Sequence, residues 1–215
     1  MMTRVLIVED QKMPRESMVG YVNASDRYTL AGTLTNAAMA EVFCAGHDVD
    51  LILMDVCTER DENGLDAAAI IKKRFPHIKI IIVTSMVECS YLDRAHEANA
   101  DSFWYKDAGE DELLTVMDKT MAGKTVYPKR TPEVKLGMVS SYDLSEGELR
   151  VLRLLMESLS YDEIAAELGC TERNIRFHLN NVLDKTGYKN KMQLLLAIAD
   201  KKLIIPTPAK DLRIR

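Results

Sequence analysis

Glu9 and Asp10 follow the apolar run Val5 to Val8, Asp55 follows Leu51 to Met54, Thr84 closes Lys79 to Thr84, and Lys106 follows Ser102 to Tyr105. Three carboxylates brought together repel one another and need a cation. An oxygen donor set completed by a backbone carbonyl and water suits octahedral Mg²⁺, or Mn²⁺ in its place. A lysine facing them then suits a dianionic oxygen ligand rather than a second metal. An aspartate nucleophile, a hard dication, a lysine and a hydroxyl are the parts of phosphoryl transfer to a carboxylate. An aspartate with an ordinary pKa of about 3.9 is ionised at neutral pH and needs no general base. Singly, each residue has a plain structural reading: an acid capping the next helix, a solvated threonine, a lysine paired with Asp107 or Glu110. Their coincidence at corresponding tips carries the chemical reading.

Such a set works only where strand ends meet. Leu51 to Asp55, four apolar residues running into an acid, reads as a strand buried on both faces. Val5 to Val8, Tyr28 to Leu34, Lys79 to Thr84 and Ser102 to Tyr105 supply four more. Helical patterns alternate with them, including Pro14 to Val22, Ala37 to Ala45, Leu65 to Phe75 and Glu110 to Ala122. The alternation predicts an α/β doubly wound, five-stranded parallel sheet. Right-handed crossovers gather its strand tips on one edge, where open parallel sheets bind ligands.

At 215 residues the chain is long enough for two domains of ordinary size. Apolar content of 47% and charge content of 28% suit a packed core in each. No apolar run approaches the roughly 20 residues that span a bilayer, so no membrane association is expected. The N-terminus is unlike a signal peptide, and Cys44, Cys57, Cys89 and Cys170 lack metal or disulfide spacing; together these predict a reducing, cytoplasmic setting. Charge divides unevenly. Residues 1–122 carry 12 Lys and Arg against 21 Asp and Glu, whereas 123–215 carry 16 against 12. The expected organisation is a first domain over 1–122, a linker over 123–142 marked by Gly123, Pro128, Pro132 and Gly137, and a second domain over 143–215. Within the linker, Thr131 to Val139 could form a helical turn.

The second domain reads as small, all-α and four-helical. Ser145 with Glu148 and Ser160 with Glu163 form capping boxes ahead of apolar stripes. Thr171 opens a third helix after Gly169 and Cys170, and Asn190 with Gln193 opens a fourth. The second and third helices make a helix-turn-helix. The third is roughly 22 Å long at about 1.5 Å per residue, enough to lie in a DNA major groove. Ile175, Leu179, Val182 and Leu183 form its buried stripe, leaving Arg173, Asn174, Arg176, Phe177, Asn180 and Asn181 outward. Arginine and asparagine read guanine and adenine edges, and Phe177 can touch a thymine methyl. On an isolated helix the same residues would only mark a soluble face.

Val-Leu-Ile-Val-Glu-Asp, Leu-Ile-Leu-Met-Asp-Val, Ile-Ile-Ile-Val-Thr-Ser and Phe-Trp-Tyr-Lys-Asp resemble the flavodoxin-like receiver domain of two-component response regulators. Leu-Ser-Glu-Gly-Glu-Leu-Arg-Val-Leu, Ser-Tyr-Asp-Glu-Ile-Ala-Ala-Glu-Leu-Gly, Asn-Ile-Arg-Phe-His and Lys-Thr-Gly-Tyr-Lys-Asn-Lys resemble the LuxR-type DNA-binding domain of the NarL/FixJ response regulators. The first resemblance implies that Asp55 accepts a phosphoryl group from a sensor histidine kinase, with Glu9, Asp10 and the Cys57 carbonyl around the dication. Lys106 and Thr84 would hold the phosphoryl oxygens, and Phe103 would be the switch aromatic. The second implies base contacts from Arg176, Phe177 and Asn180 and phosphate contacts from Thr171, Asn174, Lys185 and Lys189. It also implies a homodimer through Met192, Leu195, Leu196 and Ala199 on the last helix, promoted by phosphorylation. His178 fits the pattern as a structural or backbone-contacting residue rather than a metal ligand, since no second ligand lies at suitable spacing.

Two departures stand out. The loop after Asp55, Val-Cys-Thr-Glu-Arg-Asp-Glu-Asn-Gly, is one residue longer than usual and lacks the family's proline. Asn180 stands where relatives often carry a basic residue. The sequence therefore predicts a transcription regulator rather than an enzyme. One rival is a DNA-binding regulator whose receiver works without phosphorylation. The other, a Mg²⁺ phosphatase with an aspartyl-phosphate intermediate, needs a second aspartate where Cys57 stands.

Overall fold

The computed structural model of the chain describes residues 2–59, 62–106 and 110–204. Asp107, which ends the Phe-Trp-Tyr-Lys-Asp stretch, lies outside them, as do residues 205–215 of the expected second domain. The chain divides into two compact units, Met1–Ser85 with Ser90–Arg130, and Met86–Cys89 with Thr131–Arg215.

In the first unit the elements run β1 (Thr3–Val8), α1 (Lys12–Ala24), β2 (Tyr28–Leu34), a 3-10 turn (Ala37–Met39), α2 (Ala40–Gly46) and β3 (Leu51–Asp55). The short β4 (Cys57–Thr58) and β5 (Glu62–Asn63) follow, then α3 (Gly64–Arg74), β6 (Lys79–Thr84), α4 (Tyr91–Glu97), β7 (Ser102–Tyr105) and α5 (Glu110–Met121). The main sheet has five parallel strands in the order β2-β1-β3-β6-β7, the doubly wound arrangement. Every residue of β3 is buried, because helices cover both faces of a central parallel strand and leave no polar side to alternate with. Val5, Leu51, Leu53, Ile81 and Val83 pack with α1 and α5 through Met18, Val22, Leu113 and Met117. Burying an aliphatic side chain of this size contributes about 1.5–3 kcal/mol, so this layer fixes the strand tips that follow it.

The stretch after Asp55 differs from a plain loop: β4 and β5 pair antiparallel, Cys57 with Asn63 and Thr58 with Glu62. The Asn63 side chain then accepts the Leu65 N–H and starts α3. Gly64 has no alternative at this point, since a Cβ there would lie 1.8 Å from the Asp55 carbonyl oxygen.

The second unit holds a small hairpin, β8 (Lys135–Leu136) with β9 (Val139–Ser140), and helices α6 (Glu146–Met156), α7 (Tyr161–Glu167), α8 (Glu172–Thr186) and α9 (Lys191–Asp200). The helical turn expected over Thr131 to Val139 is therefore a β-hairpin. Gly137, at φ +62°, makes its tight turn, and a Cβ there would meet the Thr186 carbonyl at 2.0 Å. Ser145 and Ser160 form the two expected capping boxes, and the Thr171 and Asn190 side chains accept the N–H groups of Asn174 and Gln193. Leu152, Leu155, Ile164, Ile175, Leu179, Val182, Leu194 and Ile198 close one core among the four helices.

Candidate functional site

The parallel register carries β1 and β3 side by side, so Glu9 and Asp10 leave the sheet next to Asp55. Carboxylate oxygens of Glu9, Asp10 and Asp55 lie within 4.8 Å of one another. Glu9 is fully buried and Asp55 is 4% exposed. Lys106, at the end of β7, brings its ammonium between them, ion-paired with Glu9 and 3.0 Å from Asp55 Oδ1. The Val56 N–H donates to the same Asp55 oxygen at 2.9 Å. Backbone carbonyls of Glu9 and Asp10 accept from Arg15 Nη1 at 2.7 and 2.9 Å, which pins the acid turn to α1. Arg15 escaped the sequence reading, although a cation five residues after Asp10 on the first turns of a helix was its signal.

Burial, together with the neighbouring Glu9, raises the Asp55 carboxyl to about 7, while Lys106 and the Val56 N–H oppose the rise. Desolvation outweighs the partners because the carboxyl has little contact with water. Burial also pushes the Lys106 ammonium down, but Asp55 and Glu9 outweigh it and its pKa is raised. Among the described residues Asp10 Oδ1 finds no hydrogen-bond partner, and it is buried. An orphaned carboxylate oxygen in a three-acid cluster fits a hard dication bound through oxygen, so the residues present suit Mg²⁺ or Mn²⁺.

Thr84 and Phe103 are each 1% exposed. Thr84 ends β6, and its carbonyl accepts the Lys106 N–H at 2.9 Å, tying the hydroxyl's strand to the lysine's. Phe103 packs with its ring 5.0 Å from that of Tyr105 and 6.1 Å from that of Tyr127. Cys57 follows at the start of β4, its Sγ 3.5 Å from the Tyr91 hydroxyl. A cavity of about 440 Å³ lined by Gln11, Met13, Ser17, Ser85, Trp104 and Lys106 opens beside the cluster.

In the second unit α8 buries Ile175, Leu179 and Val182 and exposes Asn174, Arg176, Phe177 and Asn180. Thr171 and Lys189, just outside the helix, are exposed as well, and Phe177 is 61% exposed. Lys185 is exposed at its side but engaged at its tip, 2.8 Å from Glu148 Oε2 and 3.0 Å from the Asp143 carbonyl oxygen. Burial raises the Glu148 pKa, and the bonds from Lys185 and Ser145 outweigh it, so the net shift is downward. A Cβ on Gly147 would lie 3.2 Å from the His178 ring, which places that ring in the α6–α8 seam. On α9, Met192, Leu196 and Ala199 are exposed and Leu195 is half-buried, while Leu194 and Ile198 face the core. Sequence reasoning passed over Tyr161 and Lys191. The Arg176 guanidinium lies 4.4 Å, and the Lys191 ammonium 5.2 Å, from the centroid of the Tyr161 ring.

Fold and sites together define an acidic α/β unit with a carboxylate–lysine cluster at its strand tips, joined to a helix-turn-helix unit. The model for the response regulator receiver domain matches residues 5–118, and that for bacterial regulatory proteins of the luxR family matches residues 143–198. The chain belongs to the two-component response regulators, with the receiver and LuxR-type organisation of the NarL/FixJ family. That family consists of DNA-binding regulators rather than metabolic enzymes. The response regulator protein VraR of Staphylococcus aureus strain Mu3 is 29% identical over 214 residues, covering 95% of this chain and all of that one. A solved structure of two RcsB dimers bound to two parallel DNAs superposes with a TM-score of 0.63 at 18% identity, over 93% of this chain and 98% of that one. RcsB of Salmonella enterica serovar Typhimurium, bound to promoter rprA in the presence of phosphomimetic BeF3-, gives 0.60 at 20% identity, over 92% and 98%. These structural likenesses are of fold. Among the described residues no helix is long and apolar enough to cross a membrane.

Proposed function

We propose that Asp55 is the phosphoacceptor of a cytoplasmic transcription regulator, and that its occupancy governs sequence-specific DNA binding through α8. The observation that carries the reading is the buried Asp55 held among Glu9, Asp10 and Lys106 at the strand tips. In the reaction an Asp55 carboxylate oxygen bonds to the phosphorus of a sensor histidine kinase's phosphohistidine. The P–N bond breaks and the imidazole leaves with its electron pair. Glu9, Asp10, Asp55 and the Cys57 carbonyl would hold Mg²⁺ or Mn²⁺, whose charge, when bound, favours the ionised form of Asp55 and offsets that of the incoming group. Lys106 exchanges its Asp55 contact for a phosphoryl oxygen, and Thr84 hydrogen-bonds another. Movement of the Thr84 hydroxyl is then transmitted through the packing of Phe103, so two receiver conformations change population.

At the output, Arg176, Phe177 and Asn180 face base edges, while Thr171, Asn174, Lys185 and Lys189 meet phosphates. Met192, Leu195, Leu196 and Ala199 support a homodimer, an assembly also named for RcsB on DNA. A two-fold dimer sets paired α8 helices about one helical turn apart on a repeated site. A second reading, in which the receiver only docks other proteins, takes support from the β4–β5 pairing that replaces the family's usual short loop. Treatment with acetyl phosphate and Mg²⁺ separates the two. One added phosphoryl group, absent in Asp55→Asn, is expected by intact mass; an unchanged mass in the wild-type chain favours the second reading.

A further inference from the structure

Three helices of the second unit meet at the ring of Tyr161: it opens α7, Arg176 comes from the exposed face of α8, and Lys191 opens α9. The guanidinium stands 4.4 Å from the ring centroid and is also paired with Glu172, one turn earlier, at 3.3 Å. The ammonium stands 5.2 Å from the same centroid. Aromatic faces attract cations, so one ring gathers two like charges that otherwise repel. Glu172 supplies one carboxylate to this pair, and a phosphate would supply a second anion. An arginine that must be immobilised on binding loses rotamer freedom, and one already tethered by a ring and a carboxylate has surrendered part of it beforehand.

We propose that Tyr161 is a positioning residue for DNA recognition: its ring fixes Arg176 toward a base edge and keeps Lys191 beside it as a phosphate contact. This rests on the reading of α8 as the DNA-facing helix. Tyr161 is half-buried against the helical core, so a packing role must be separated from the aromatic one. Tyr161→Phe keeps packing and ring and loses only the hydroxyl. Tyr161→Leu keeps apolar packing and loses the ring.

The test uses the full chain and a duplex that the wild type selects from random sequences, together with versions of that duplex altered at each base pair. Tyr161→Phe is expected to bind the selected duplex within about twofold of wild type. Tyr161→Leu loses about threefold in affinity, the scale of one exposed cation–π contact, and relaxes discrimination at the base pair that Arg176→Ala also relaxes. Lys191→Ala weakens all duplexes alike and flattens the salt slope by about one unit. Full base discrimination in Tyr161→Leu, equal losses in Leu and Phe, or an unchanged salt slope in Lys191→Ala would overturn the assignment. A wild-type chain that selects no sequence would overturn instead the DNA-binding reading beneath it.

Discussion

The acidic cluster and the exposed face of α8 do opposite things with charge. At the strand tips, charges are buried and satisfied mostly by one another: Glu9 and Asp55 share one lysine, and burial moves a carboxyl pKa to about 7. On α8 the cations are open to water; the Arg176 side chain is 59% exposed while it touches Glu172 and the Tyr161 ring. A buried site couples tightly to any charge placed in it, because the local dielectric is low. An exposed site couples to a polyanion by contact and by counterion release. One region suits a chemical event and the other a reversible encounter. Lys185 is the instructive exception, a cation on α8 that is half open to water and also pairs with the buried Glu148.

The sharpest break between the regions is at Asp55. Asp55→Asn should abolish hydroxylamine-sensitive phosphate after acetyl phosphate treatment while leaving the far-UV circular dichroism spectrum unchanged; residual label at another residue would mean the nucleophile is misplaced. On α8, Arg176→Ala should lose about 1–3 kcal/mol of discrimination at one base pair and little affinity for random duplex. Lys185→Ala should weaken every sequence alike and also cost about 1–2 kcal/mol in urea unfolding of the second unit. That cost arises because Glu148 is left buried without its partner, discounted for the half-open lysine. A Lys185 variant of wild-type stability would show that the pair is ornamental.

Backbone crowding gives a third contrast. Gly64→Ala forces a Cβ onto the Asp55 carbonyl and should destabilise the receiver by about 1–3 kcal/mol. Gly20→Ala, on an open face of α1, should stabilise it by about 0.5–1 kcal/mol through helix propensity. Equal thermal midpoints for the two variants would remove the claim that Gly64 is constrained by the site.

The smallest effect is the acid limb of receiver stability. Burial raises the Asp101 pKa, but bonds from Lys72, Lys79 and the Ile80 N–H outweigh it and the net shift is downward. A group with a depressed native pKa stabilises the fold above its ordinary value of about 3.9 and loses that contribution as pH falls through the native value. Urea unfolding followed from about pH 5 to pH 2 should therefore fall more steeply in wild type than in Asp101→Asn.

What the sequence disclosed follows from how local each signal is. Leu51–Asp55, Lys79–Thr84 and Ser102–Tyr105 were readable to the residue, because each carries a continuous apolar or aromatic run with a polar residue at its edge, and Tyr28–Leu34 was readable from its β-favouring composition although Thr29, Gly32 and Thr33 interrupt it. The capping boxes at Ser145 and Ser160 were equally local, being complete within four positions. The state of Asp55 was not legible. It depends on desolvation and on Lys106 and Glu9, residues brought together from far apart in the chain. The β8–β9 hairpin hid because two-residue strands carry no period, leaving Gly137 as the only cue. Tyr161 hid for another reason: its partners lie on two later helices, and stacking leaves no mark in spacing.

Affinity for the selected duplex, measured with and without beryllofluoride and Mg²⁺ in the wild-type chain and in Asp55→Asn, tests the link between the two regions most directly. The expected result is tighter binding with the mimic in wild type and no response in Asp55→Asn. Equal affinity in all four conditions would contradict a receiver whose occupied aspartate governs α8.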